Sequence, residues 1–207
     1  MTQHPPARQV YFSFDYEEDR NRADIVWESE WTRRADGTAE ASFTDSGIWQ
    51  KAKAFDDENM KRLISEEIAK TSVTCVLVGA HTWERQWVVY EIAQSVERGN
   101  GLLAVRISGI VDPPTRQTSA AGANPLARMG LGKAKDGQYF IFESSGGQWF
   151  RHQDHPLPVA KPPYLPEMRA GYVQPLTVGL LEYDYIKQDG AKNLLAWINR
   201  AAQSAGK

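Results

Sequence analysis

A tryptophan and a glutamate four residues apart are the first side chains whose spacing could serve chemistry. In Trp87-Val-Val-Tyr-Glu91, this separation places the indole and the carboxylate on the same helical face, about one turn apart. A carboxylate beside an indole can face a cleft and stabilise positive charge that develops on a bound molecule. The same spacing also fits a surface glutamate that pairs with Arg98 or with solvent.

Other polar and aromatic side chains follow the segments that we predict to be strands. Ligands of an open parallel sheet bind beyond the carboxyl ends of its strands, so the loops at those ends are the informative ones. They contribute polar and aromatic side chains to one rim. These are Asp15, Tyr16, Asp19 and Arg20 after the first strand, Asp45 and Trp49 after the second, and His81, Thr82 and Trp83 after the third.

An alternation of strand and helix patterns predicts the sheet that carries these loops. The predicted strands are Val10–Phe14, Glu40–Phe43, Val73–Val78, Leu102–Ile107 and Glu182–Tyr185. The predicted helices are Asn21–Trp31, Asp57–Lys70, Trp83–Arg98 and a closing helix capped by Asp189. This order indicates an α/β protein with a flavodoxin-like doubly wound parallel sheet, in a single domain over residues 8–207.

The alternation breaks at Asp112, because nine of the eleven prolines lie between Pro113 and Pro175. We predict a proline-rich insertion over residues 112–176, before the last strand and helix. Tyr139–Phe142 and Gln148–Phe150 are expected to form a hairpin, and Lys161–Pro166 to be extended. The insertion is expected to act as a lid or an assembly surface; packed loops without a chemical role are the alternative.

Composition and charge exclude several classes of protein. The apolar fraction of 42%, the charged fraction of 24% and the net charge of −2 are those of a globular chain without a basic surface for nucleic acid. The single cysteine, Cys75, allows no internal disulfide and is expected to be buried. No secretory signal and no apolar stretch of about 20 residues is present, so we expect a cytoplasmic protein without membrane contact.

Three other kinds of site are disfavoured. His152-Gln-Asp154-His155 has ligand types at close spacing but lies in a proline-rich loop without a second cluster, so no metal is predicted. A receiver domain would need an aspartate after the central strand, where this chain has Gly79-Ala-His81. A dinucleotide-binding fold would need a glycine-rich phosphate loop, whereas Phe14-Asp-Tyr-Glu-Glu18 is acidic.

Residues 8–112 resemble a TIR domain of the bacterial branch found in Thoeris-type antiphage systems. The similarity lies in Val10–Asp19 with Arg22, Ala23 and Trp27, in Thr71–Gly79, and in Thr82–Ile92. The last helix is similar only loosely and the insertion hardly at all. The chain departs from the family pattern by its large insertion and by Asp15, where many relatives are not acidic.

The resemblance implies an NAD⁺ nucleosidase or ADP-ribosyl cyclase-like hydrolase. It places the catalytic glutamate at Glu91 and the tryptophan of the same element at Trp87. It puts Phe14, Asp15 and Tyr16 in the loop that lines the substrate site. Trp49 lies in a loop that meets a second protomer in related domains, and its ring could stack on a base of the substrate.

The resemblance also implies partners and a product. NAD⁺ is the substrate, no cofactor is required, the protein self-associates on activation, and a separate nucleotide-sensing effector reads the product. That product is expected to be a cyclic ADP-ribose isomer, with linear ADP-ribose or a conjugate as alternatives. A non-catalytic TIR scaffold that assembles with a partner is the competing hypothesis.

Overall fold

Five parallel strands form the main sheet, as the alternation predicts. The computed structural model describes residues 8–29, 41–44 and 56–207. In chain-order numbering the strands are β1 (Arg8–Ser13), β2 (Ala41–Thr44), β3 (Val73–Val78), β4 (Gly101–Arg106) and β9 (Glu182–Asp184). They lie in the order β2-β1-β3-β4-β9, and every neighbouring pair is parallel. The flavodoxin-like α/β prediction is therefore confirmed.

Helices cover both faces of this sheet. They are α1 (Tyr16–Glu28), α2 (Asp57–Ala69), α3 (Gln86–Arg98) and α5 (Gly190–Ser204), and a 3₁₀ turn, Thr82–Glu84, precedes α3. The apolar sides of α1 and α5 pack on one face of the sheet, and α3 packs on the other. Gly99 ends α3 in the left-handed conformation, with φ of 68°, so the predicted stop at Gly99 is confirmed.

Two predicted helix starts and one predicted cap need correction. The helix α3 begins at Gln86 and not at Trp83, since Thr82–Glu84 form a separate 3₁₀ turn. The first helix begins at Tyr16, five residues before the prediction, because the Asp15 carboxylate caps it by accepting the Glu17 N–H. The last helix does follow Asp189, but the Asp189 side chain makes no cap hydrogen bond. Its carboxylate instead accepts from the Lys192 ammonium at 2.7 Å, and its backbone is left-handed, with φ of 48°, where a capping residue is usually extended.

The segment between β4 and β9 contains a second, antiparallel sheet. The strands of this sheet are β5 (Met129–Lys133), β6 (Tyr139–Ser145), β7 (Gln148–Arg151) and β8 (Val173–Pro175), in the order β7-β6-β5-β8. A short helix, α4 (Pro125–Arg128), precedes them. The β6–β7 hairpin confirms the prediction. The prediction that Lys161–Pro166 is extended is wrong, because the Leu165 N–H donates to the Pro162 carbonyl and closes a turn.

This second sheet shares a core with α3 and the main sheet. The shared core joins Val89 and Ala93 of α3 to the insertion residues Leu126, Met129, Leu131, Ile141, Leu165 and Leu176. Of the aromatic rings in the insertion, Phe140 is buried and Phe150 is 54% exposed, whereas Tyr139, Phe142, Trp149 and Tyr164 are half-buried. Most of this aromatic surface therefore contributes to packing.

The main sheet also buries the side chain of Cys75, as predicted.

Among the helices that the structure describes, none combines the length and the hydropathy needed to cross a bilayer.

Two buried histidines connect the loop after β7 to α3. The Nδ1 atoms of His152 and His155 lie 3.3 Å apart, and His155 Nε2 lies 3.3 Å from Oε1 of Gln94 on α3. The His155 ring also packs on Tyr90, with centroids 5.1 Å apart. Burial, reinforced by the neighbouring His152, lowers the pKa of His155 to about 4, so the imidazole is neutral in the folded protein at neutral pH.

We predict that His155 makes stability depend on acid pH. Its folded-state pKa of about 4 lies below the ordinary value of 6.5. The stability that the neutral imidazole contributes to the folded protein is therefore complete above pH 6.5 and is lost as the pH falls toward 4. In denaturant titrations, the stability difference between wild type and His155→Gln should shrink by up to about 1.4 kcal/mol for each pH unit in this range. His81→Gln, at an exposed histidine, controls for the substitution itself. A difference independent of pH would contradict the prediction.

Candidate active site

The side chains of β1 alternate between two environments, as a strand requires. Val10, Phe12 and Phe14 point into the core that the sheet forms with α1 and α5. Tyr11 and Ser13 therefore point to the opposite face, toward α3. They bring two hydroxyl groups to the face on which Trp87 and Glu91 were predicted to act.

Both hydroxyl groups donate to the Glu91 carboxyl group. Tyr11 Oη lies 2.6 Å from Oε1, and Ser13 Oγ lies 2.5 Å from Oε2. Glu91 is only 1% exposed. The interpretation of Glu91 as a surface residue that pairs with Arg98 is wrong, because Arg98 donates instead to Ser65.

The ionisation of Glu91 reflects two opposing effects. Burial raises its pKa, the hydroxyl donors Ser13 and Tyr11 lower it, and the balance leaves the pKa at about 7. Burial and the nearby Glu91 carboxyl raise the pKa of Tyr11 well above its usual value, so Tyr11 keeps its proton and remains a donor. A carboxyl group with a pKa near 7 is a feature that active sites share.

A second set of hydroxyls fixes the helix turn that carries Glu91. Ser95 Oγ donates to the Glu91 carbonyl at 2.7 Å and lies 2.7 Å from Thr74 Oγ1 on the central strand. Both hydroxyls are completely buried. The helix is thereby fixed to β3 next to the carboxyl group.

Trp87 lies one turn before Glu91 and packs toward α2. Its half-buried ring meets Tyr90 edge-on, with centroids 5.9 Å apart. Both rings belong to a cluster with Met60 and Ile64 of α2 and with Tyr11. Tyr11 thus links this aromatic cluster to the Glu91 carboxyl group.

The predicted substrate loop after β1 has structural contacts of its own. Phe14 is buried against Trp27, with ring centroids 5.6 Å apart, and Tyr16 is half-buried beside it. Asp15 is 2% exposed, caps α1 and accepts from Arg85 Nε at 2.7 Å. Because Arg85 immediately precedes α3, this ion pair joins the loop to the start of the helix that carries Glu91.

The roles of Phe14, Asp15, Tyr16 and Trp87 in substrate binding stay predictions. None of their contacts described above reaches the Glu91 carboxyl group. Trp49 and Asp45 lie outside the described residues.

The same rim contains a buried ion pair. Asp19 Oδ1 accepts from Arg22 at 3.0 Å, and Arg22 Nε donates to the Ile110 carbonyl, which ties α1 to the loop after β4. Burial raises the pKa of Asp19 to about 6 even though Arg22 opposes the shift. A side chain at Gly79 would overlap the Asp19 carboxylate, so this approach requires glycine at the end of β3.

Tyr11 and Ser13 are the site residues that the sequence prediction missed. The signal was present, because strand alternation separates them from Val10, Phe12 and Phe14 and so assigns them to the face opposite the α1 core.

We predict that Asp15 and Arg85 stabilise the protein as a pair. Asp15→Asn and Arg85→Gln should each lower the free energy of unfolding, and the double variant should lose less than the sum because both changes remove one interaction. A double-mutant cycle should give a coupling of about 1 kcal/mol. Glu17→Gln is the control, since Glu17 is 75% exposed and lies 3.6 Å from the same guanidinium. Additive losses would show that the pair does not hold the loop to α3.

Comparison with known proteins identifies the family of the chain. The profile of the family described as "Thoeris protein ThsB, TIR-like domain" matches residues 11–112, a range that contains Tyr11, Ser13 and Glu91. A Bacillus cereus (strain MSX-D12) protein named "Putative cyclic ADP-D-ribose synthase ThsB1" is 32% identical over 194 residues, which cover 93% of this chain and 100% of the relative. With similarity extending through the insertion and the last helix, the chain belongs to the ThsB family of Thoeris TIR-like proteins.

Proposed function

We propose that this protein cleaves the nicotinamide–ribose bond of NAD⁺ and releases a cyclic ADP-ribose isomer as a signal in antiphage defence. The observation that carries the proposal is the Glu91 carboxyl group, buried on α3, bound by two hydroxyls, and with a pKa near 7. The name of the Bacillus cereus relative supports the same reaction class.

The chemistry of NAD⁺ suits a single carboxylate. The leaving nicotinamide is already a cationic pyridinium, so no general acid has to protonate it, unlike the leaving group of an ordinary glycoside. As the bond breaks, positive charge develops on the ribose. An oriented Glu91 carboxylate can stabilise that charge in a site from which water is excluded.

The other proposed substrate contacts surround the start of α3. Asp15 at the end of β1 is held by Arg85, and Tyr16 follows it at the first residue of α1. Phe14 and Trp87 are the other proposed contacts; Phe14 belongs to the core with α1 and α5, and Trp87 to the cluster with α2. Trp49 remains a candidate for stacking on a base of the substrate.

The proposal includes assembly and a reader of the signal. We expect self-association on activation and a separate nucleotide-sensing effector, in the cytoplasm. NAD⁺ enters as a substrate and leaves as product, so it is not retained as a cofactor.

We predict that Glu91→Gln abolishes nicotinamide release from NAD⁺. The amide keeps the size of the side chain and removes its charge, so at least about 100-fold should be lost from kcat, as for other preorganised charge-stabilising groups. The variant should stay folded, because the amide keeps the side-chain volume and the hydroxyl that faces its nitrogen can rotate to accept a hydrogen bond; thermal unfolding checks this. Nicotinamide release, measured by chromatography with and without phage lysate as activator, tests the first expectation.

Glu97→Gln is the matched control, because Glu97 lies on the same helix and its side chain is 40% exposed. It should retain wild-type turnover. Full turnover in a folded Glu91→Gln protein would remove Glu91 from the mechanism. An activated wild type that assembles but releases no nicotinamide would instead support a TIR scaffold.

We predict that the main product of the activated protein is a cyclic isomer of ADP-ribose. An adenine or ribose atom of the same NAD⁺ molecule then takes the place of water as nucleophile, and the product is one water lighter than ADP-ribose. Mass spectrometry of the reaction mixture distinguishes the two. Linear ADP-ribose alone would indicate NAD⁺ depletion, and a heavier adduct would indicate capture of a foreign nucleophile.

A further inference from the structure

We infer that Tyr11 and Ser13 are positioning residues that hold the Glu91 carboxyl group in one orientation and in its ionised form for the reaction. The inference rests on the proposed function, since it assigns how the carboxylate is kept ready for NAD⁺. It adds two residues to those that the sequence and the family resemblance identified.

The geometry gives each carboxyl oxygen its own donor. Tyr11 holds Oε1 and Ser13 holds Oε2, and the two donors are alternate residues on one face of β1. A carboxyl group held by two separate hydroxyls cannot rotate without losing both hydrogen bonds. Since β1 is paired on both sides, with β2 and β3, the donors themselves are fixed by the sheet.

The surroundings leave ionisation largely to these donors. On α2, Met60 and Ile64 pack in the same apolar cluster as Tyr11. The Glu67 carboxylate disfavours the negative charge of an ionised Tyr11 and so helps to raise the pKa of Tyr11. From β3, the neutral hydroxyl of Thr74 is engaged with Ser95. Among the described residues, the groups that shift the pKa of Glu91 are only Ser13 and Tyr11, against burial.

Loss of either hydroxyl is expected to raise the pKa of Glu91. A hydrogen bond donated to a carboxylate stabilises its charged form, so removing either donor must raise the pKa of Glu91 further above its value of about 7. If the ionised form is the active one, turnover rises with pH through this pKa. The variants should then need a higher pH to reach the same plateau.

The test is the pH profile of nicotinamide release by the activated protein with NAD⁺. Wild type should show an acid limb with a midpoint near 7. Ser13→Ala and Tyr11→Phe should each move the midpoint upward by about one pH unit, the effect of one hydrogen bond to a charged group, and lose about tenfold in kcat at pH 6. Ser13→Thr, which restores a hydroxyl, should return the midpoint toward that of wild type.

An infrared titration provides a readout that needs no turnover. A protonated buried carboxyl group has a carbonyl band separate from the amide region, and the band that Glu91→Gln removes belongs to Glu91. Its midpoint should shift in Ser13→Ala and Tyr11→Phe in parallel with the kinetic limb. Thr74→Val is the matched control, because it deletes a buried hydroxyl that contacts Ser95 and not the carboxyl group; it should lower stability and leave the midpoint unchanged.

The two readouts separate the possible failures. Unchanged infrared midpoints in folded Ser13→Ala and Tyr11→Phe proteins would overturn the inference. A shift equally large in Thr74→Val would also overturn it, because the effect would then be a general loosening of the site. A wild type without nicotinamide release would refute the proposed function, while the infrared midpoints would still show whether the two hydroxyls hold the charge.

Discussion

A carboxyl group enclosed between a helix and a sheet loses the water that would solvate its charge, and protein donors must replace that water. In this protein the Tyr11 and Ser13 hydroxyls do so, one at each oxygen of Glu91. They do not compensate fully, which is why burial still leaves the pKa near 7. The contact between β1 and α3 therefore includes a buried carboxyl group that needs both hydroxyls, and the neighbouring contacts must keep these two elements in register.

Those contacts come from four directions. The Ser95 and Thr74 hydroxyls fix α3 to the central strand, and the Asp15–Arg85 ion pair fixes the residue before α3 to the end of β1. The aromatic cluster around Tyr90 connects α3 to α2, and the second sheet covers the remaining side. Because each contact joins α3 to a different element, the orientation of Glu91 is a property of the whole domain and not of its helix alone.

The sequence predicted the sheet and helices well, because apolar periodicity records which face of each element is buried. It predicted Glu91 through its spacing from Trp87 and through family resemblance. It failed at two local contacts that apolar periodicity does not record. The Asp189 carboxylate binds Lys192 and not the helix terminus, and Leu165 closes a turn in a segment whose prolines suggested extension. Strand alternation could have placed Tyr11 and Ser13 on the α3 side, but only the fold shows that Glu91 faces them.

The segment between β4 and β9 shows how an elaboration can become part of the core of the domain. A parallel connection between neighbouring strands must cross one face of the sheet, usually as a helix. Here the crossover is an antiparallel sheet, whose apolar side covers α3 with Met129, Leu131 and Ile141. Close packing of this kind resists displacement of the helix. The crossover therefore contributes to the packing that holds α3, and with it the Glu91 side chain, against the main sheet.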